Sequence, residues 1–245
     1  MNKIFGLHAV SSALDNHPEY VLHVWITEQR RDKRIDELYT KLGKLGIVIE
    51  PCGKEQLDRL AGGGHHQGVV VALKTPPQRD EIALKSAIEA SPSRPFFFLV
   101  LDQIQDPHNL GACLRTADAA GVSGVILPNA QTARLTPTVY KVASGAADTV
   151  AIYHVSNLAR ILNWMKDQGI WIIGSDAQAG DTLYSVDMKI PLALVIGSEG
   201  QGLRRLTSEL CDYRVRLPML GKVESLNLSV AAGILLYEVV RQRQG

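Results

Sequence analysis

Leu192-Ala193-Leu194-Val195-Ile196-Gly197-Ser198-Glu199-Gly200-Gln201-Gly202-Leu203-Arg204-Arg205 decides the fold. Its first five residues are apolar without alternation, the pattern of a strand covered on both faces; a glycine-rich turn and a helix follow. The pattern recurs as short apolar runs at 96–101, 124–127, 149–154, 170–174 and 213–217, separated by helical segments. A mainly parallel sheet with flanking helices is predicted over 96–245, and ligands of such sheets gather beyond the carboxyl ends of the strands.

Upstream, residues 20–26, 47–49 and 68–73 read as strands, with an early helix and a charged helix over about 32–45. These make a small α/β unit over 1–74. The prolines of Thr75-Pro76-Pro77-Gln78-Arg79-Asp80 and Ser91-Pro92-Ser93-Arg94-Pro95 interrupt both periodicities, so 75–95 reads as a linker.

With 46% hydrophobic and 21% charged residues in 245, the chain has the composition of an ordinary globular protein. No apolar run approaches the roughly 20 residues of a membrane span, and the first residues lack the apolar stretch of a signal peptide, so a cytoplasmic protein without membrane contact is expected. Cys52, Cys113 and Cys211 are scattered and form no CxxC pair, which argues for inert thiols and against a disulfide framework or a metal site. The net charge of +1 means that any nucleic-acid contact relies on local basic patches. One such cluster is Arg30, Arg31, Lys33 and Arg34, although Asp32, Asp36 and Glu37 among them also fit a solvated helix face. His8, His65, His66 and His108 lack regular metal-ligand spacing and read as structural or surface residues.

Three polar or glycine-rich segments lie at predicted strand ends. In Gln103-Ile104-Gln105-Asp106-Pro107-His108-Asn109-Leu110-Gly111-Ala112-Cys113-Leu114-Arg115, Asn109 reads as a helix N-cap, and Leu110, Leu114, Ala117 and Gly121 form a packed face. Arg115 sits beside that stripe and can lean back toward the helix start, an end that favours anions. In the second segment, glycines let the backbone approach a flat ligand, and the pattern is neither GxGxxG nor GxxxxGK. Glu199 at its tip reads equally as a cap for the next helix or as a group that orients substrate. In Leu217-Pro218-Met219-Leu220-Gly221-Lys222-Val223-Glu224-Ser225-Leu226-Asn227, Ser225 reads as the cap of the last helix, with Leu226, Val230, Gly233 and Tyr237 on its inner face. Asn227 offers a donor and an acceptor where apolar packing would not choose them.

Each segment alone has a plain structural explanation. In order and together they resemble the three motifs of the SPOUT class of RNA methyltransferases, in its TrmH-like 2′-O-ribose branch. Asn109 and Arg115 match the first motif, Gly197-Ser198-Glu199-Gly200 the second, and Ser225-Leu226-Asn227-Leu228-Ser229-Val230-Ala231 the third. The likeness runs through the whole chain, including Ile4-Phe5-Gly6-Leu7-His8-Ala9-Val10 and His66-Gln67-Gly68-Val69.

The resemblance implies an α/β catalytic domain with a deep trefoil knot, preceded by an RNA-binding domain similar to ribosomal protein folds. It implies S-adenosylmethionine as methyl donor, held near Gly197, Leu217, Met219 and Leu226, and a homodimer built through the second domain. It implies Asn109, Arg115, Glu199, Ser225 and Asn227 as reaction-site residues, no metal, and 23S ribosomal RNA as substrate, methylated on a guanosine of the peptidyl-transferase P loop. Two other readings stand beside it: a non-catalytic RNA-binding protein on the same scaffold, and a doubly wound nucleotide-dependent enzyme of small-molecule metabolism.

Overall fold

The computed structural model describes residues 2–16, 18–28, 32–74, 79–91 and 95–245. The chain divides into two compact units, Met1–Pro77 and Gln78–Gly245.

In the first unit the order is β1 (Asn2–Phe5), α1 (Leu7–Asn16), β2 (Val21–Thr27), α2 (Lys33–Lys44), β3 (Ile49–Cys52), α3 (Lys54–Leu60) and β4 (Val69–Leu73). The strands form one mixed sheet in the order β1-β4-β2-β3, with β2 and β3 parallel and β4 antiparallel to both its neighbours. Val69 and Val71 face a core with Val10 and Leu14 of α1 and Ile35 and Leu42 of α2, while Val70 faces Cys52, Leu57 and Ala61 on the other side. The consecutive valines of β4 are thus explained by helices on both faces. Strand β1 and helix α3, both short, have no counterpart in the sequence reading.

Asp32 caps α2, accepting from the backbone N–H of Arg34 and Ile35 at 3.1 and 3.2 Å, which gives an acid inside the basic cluster a structural task. Lys33 and Arg34 are exposed, whereas Arg30 and Arg31 lie outside the described residues. His66 is buried: its Nδ1 accepts from Gly68 N–H at 3.0 Å, so its Nε2 carries the proton facing Asp58, 3.1 Å away. His8, His65 and His108 are exposed.

The second unit runs α4 (Glu81–Glu89), β5 (Phe97–Leu101), α5 (Pro107–Ala119), β6 (Gly124–Pro128), α6 (Pro137–Ala143), α7 (Ala146–Thr149), β7 (Ile152–Val155), α8 (Leu158–Asp167), β8 (Trp171–Ser175), β9 (Asp181–Thr182), β10 (Leu192–Ile196), α9 (Arg205–Leu210), β11 (Tyr213–Arg216) and α10 (Leu228–Gln244). Its seven strands are parallel throughout, in the order β7-β6-β5-β10-β8-β11-β9. Every residue of β5 and β10 is buried. Phe97, Leu99 and Leu101 face a core with α5 and α10, and Phe98 and Val100 face one with α4 and α8. Because β10 inserts between β5 and β8, the turns after β5 and β10 emerge side by side.

The segment read as a linker contains α4. Asp80 caps it, Leu84 and Ile88 are buried in the second unit's core, and the carbonyl of Arg79 accepts from His154 N–H at 2.8 Å. A nine-residue helix between two proline groups is too short to show a periodicity that outweighs its breakers. Residues 75–78 and 92–94 lie outside the described set.

Candidate active site

Helix α5 starts three residues earlier than its sequence suggests. Asp106, not Asn109, is the N-cap, accepting from His108 N–H at 3.0 Å, with Pro107 in the first helical position. Asn109 therefore lies within the first turn and is only 7% exposed, so its amide must find partners among side chains. Leu110, Leu114 and Ala117 form the packed face, while Gly121 follows the helix with a φ of +68° that terminates it.

Helix α10 is capped by Asn227, not Ser225. The Asn227 Oδ1 accepts from the N–H of Ser229 at 2.9 Å and of Val230 at 3.4 Å, and from the Ser229 hydroxyl at 2.6 Å. Its Nδ2 is then free to donate to Asn109 Oδ1 at 2.9 Å, and Asn109 Nδ2 donates to Glu199 Oε2 over a longer 3.4 Å. One chain of amides and a carboxylate thus ties the three segments together across 90 and 118 residues of sequence. The inner face of α10 is Leu228, Ala232, Leu235, Leu236 and Val239; Val230 and Tyr237 point outward, 51% and 49% exposed. Apolar residues line both sides of this helix, so spacing alone cannot distinguish its faces.

Glu199 stands exposed on the turn after β10. Ser198 and Gly202 close that turn with two backbone hydrogen bonds of 3.0 Å. A Cβ on Gly197 would sit 2.1 Å from the carbonyl of Gly202, so the close approach of this turn to itself requires a glycine here. Gly200 and Gly202 have φ of +86° and +67°, a region that suits glycine. Helix α9 has Arg204 at its N-cap position and no side-chain cap, so Glu199 has no capping task.

Arg115 and Ser225 are not drawn into this chain. Both are exposed, and neither side chain takes part in a hydrogen bond or ion pair among the described residues. An ideal helix places Arg115 about 9 Å along and about 240° around from Asn109, which separates their faces within one chain.

Leu217, Met219 and Leu226 are half-buried in the loop between β11 and α10. Residues 218–226 form no backbone hydrogen bond among the described residues, so their C=O groups, and the N–H groups of all but Pro218, have no backbone partner there. Apolar side chains beside unclaimed backbone donors and acceptors suit a purine ring, so these residues fit a nucleoside-bearing donor. Among the described residues no group of His, Cys, Asp or Glu is placed to hold a metal ion, and no helix is long and apolar enough to cross a membrane.

Sequence reasoning assigned no role to Asp102. It is fully buried at the end of β5, 2.5 Å from Arg204 Nη2 and accepting from the Thr207 hydroxyl at 2.8 Å. The signal was available: an acid closing an unbroken apolar run cannot be solvated and requires partners. Burial pushes the Cys113 and Cys211 thiols each up to about 12 and raises that of Cys52, which disfavours the thiolate.

Strand order, loops and amide chain define an α/β protein with a polar site built at the carboxyl ends of a parallel sheet. Residues 97–237 match the SpoU rRNA methylase family, and residues 3–79 match the substrate-binding domain of RNA 2′-O ribose methyltransferases. The 23S rRNA (guanosine-2′-O-)-methyltransferase RlmB of Photobacterium profundum is 46% identical over 241 residues, 98% of each chain. Its counterpart from Yersinia pestis is 47% identical over 240 residues, 98% of this chain and 97% of that one. Among solved structures, the SpoU methyltransferase AviRb from Streptomyces viridochromogenes, in complex with AdoMet, aligns with a TM-score of 0.82 at 25% identity, covering 99% of this chain and 90% of that one. The chain belongs to the SpoU rRNA methylase family, and its second unit has that family's α/β methyltransferase fold.

Proposed function

We propose that this protein transfers a methyl group from S-adenosylmethionine to the ribose 2′-oxygen of a guanosine in 23S ribosomal RNA. The observation that carries the reading is the hydrogen-bonded chain Asn227–Asn109–Glu199, which joins all three segments at one end of the sheet. The relatives named RlmB, similar over nearly the whole chain, support the substrate, and the AdoMet complex of AviRb supports the donor. Placement in the P loop and the trefoil knot rest on the resemblance, and a cytoplasmic setting on the sequence reading.

The donor, when bound, supplies an electrophilic sulfonium methyl; Gly197, Leu217, Met219 and Leu226 would hold it. In the transfer the O–CH3 bond forms as the S–CH3 bond breaks, and the 2′-hydroxyl proton leaves to a substrate phosphate or to water. Arg115 does not take that proton, because a guanidinium is a donor with no acceptor to offer and stays charged. Its task is to stabilise the developing alkoxide, which a fixed cation does without a proton acceptor's strength. Asn109, Glu199, Ser225 and Asn227 orient the ribose and limit its motion.

The protein also acts as a homodimer through its second unit. Val230, Ile234 and Tyr237 form an exposed apolar stripe on α10, 51%, 37% and 49% exposed, of the kind a second copy covers. In the first unit, Lys33 and Arg34 supply phosphate contacts for the RNA.

Mapping ribose methylation on 23S RNA from cells with and without this protein tests the reading. Loss of one 2′-O-methylguanosine supports it; an unchanged methylation map contradicts it.

A further inference from the structure

The turn that carries Glu199 is exposed at its tip, and the tip's tie to Asn109 is a long hydrogen bond of 3.4 Å. So weak a bond does not by itself fix a carboxylate. The turn's two ends, by contrast, are both gripped by Asp102. Its backbone N–H donates to the carbonyl of Ile196 at 2.7 Å, just before the turn. Its carboxylate meets Arg204 and Thr207, just after it: Arg204 Nη2 stands 2.5 Å from Oδ1 without an N–H aligned on it, and Oδ2 takes the Thr207 hydroxyl at 2.8 Å. Asp102 is fully buried, so this charge depends on those partners and holds them in turn. It also ends the strand that feeds α5, and with it Asn109.

We infer that Asp102 is a positioning residue for the methyl transfer: it acts through Arg204 and Thr207 to hold the 197–203 turn, and hence Glu199, in register with Asn109. This inference rests on the proposed reaction, but its geometric half does not. Asp102→Asn keeps an oxygen for Thr207 and removes the charge that faces Arg204, whose partly exposed side chain water can solvate.

The test is a cycle of four full-length proteins: wild type, Asp102→Asn, Glu199→Ala and the double variant. Steady-state methylation of a 23S RNA transcript gives kcat and KM, and hydrogen exchange of the 197–204 peptide is measured on the protein alone. Asp102→Asn is expected to lower kcat about tenfold with KM for RNA unchanged, to speed exchange of the Ser198 and Gly202 amides, and to have no further effect on kcat once Glu199 is alanine. Equal losses in both Glu199 backgrounds, or a parental kcat, overturn the inference. So does unchanged exchange, even if the wild type proves inactive and the reaction assignment itself fails. Should Asp102→Asn not fold, Thr207→Val, which removes one contact only, takes its place in the cycle with the same expected signs.

Discussion

Two halves of the proposed site behave differently in this chain. Asn109, Glu199 and Asn227 are tied to one another, and Asn227 also caps a helix; the side chains of Arg115 and Ser225 stand exposed with no hydrogen bond or ion pair among the described residues. The tied half is assembled by folding and stays in place before anything binds. The free half is a cation and a hydroxyl left for what arrives, which suits groups that meet charge and ribose only during the reaction. For Asn109 and Arg115 the division follows from where each falls on α5: a buried amide in the first turn must be satisfied internally, while a guanidinium on an exposed face need not be.

The largest effect is expected in the free half. Arg115→Ala should cut turnover by at least about a thousandfold while leaving donor affinity by calorimetry within about twofold, because alkoxide stabilisation counts in the transition state only. Methylation at the parental rate would erase the distinction. Gly197→Ala attacks the frame of the tied half: a Cβ there meets the Gly202 backbone at 2.1 Å. Thermal unfolding should show a loss of about 1–3 kcal/mol, as expected for overpacking, accompanied by weakened donor binding.

Asn227 allows its two tasks to be separated. Asn227→Ser keeps an oxygen to cap α10 and withdraws the amide from Asn109; stability should change by a few tenths of a kcal/mol and turnover fall roughly tenfold. Asn227→Ala should add about 1 kcal/mol of instability from the lost cap. If the two variants melt alike, the cap assignment is wrong.

The smallest effect is a control on the same helix, away from the site. Glu238 is nearly buried and accepts both arms of the Arg241 fork at 2.8 Å, and these bonds hold its carboxyl below the ordinary glutamate range. A lowered folded value means that the contribution is complete above the unfolded pKa of about 4.3 and is lost as pH falls through the folded one. Glu238→Gln should therefore flatten the acid side of the stability curve, measured as melting temperature against pH, without altering the ratio of activities between site variants.

The fold was legible because β5, β6 and β10 are continuous apolar runs, which a sheet covered on both faces demands. The short β1, β9 and α3 had too few residues to show a period, and α4 was hidden between prolines. At the proposed site, the sequence brought Asn109, Glu199 and Asn227 together as the structure does but did not show their tasks, and it held no sign that Arg115 and Ser225 stand apart from them. Asp106 and Asn109, or Ser225 and Asn227, are equally good caps by residue type; only the backbone's entry into each helix selects between them. The double-sided apolar surface of α10 misplaced Val230 and Tyr237 for a related reason: two stripes share one period. Asp102 went unassigned because its partners, Arg204 and Thr207, are brought to it only by the pairing of β5 with β10.

The most direct test of the account is to incubate the purified protein with unmodified 23S RNA and methyl-labelled S-adenosylmethionine, and to map the label by nuclease digestion and mass spectrometry. The account predicts label on the ribose 2′-oxygen of one guanosine, present with wild type and absent with Arg115→Ala. Label on a base, label on another nucleoside, or equal labelling by both proteins would contradict it.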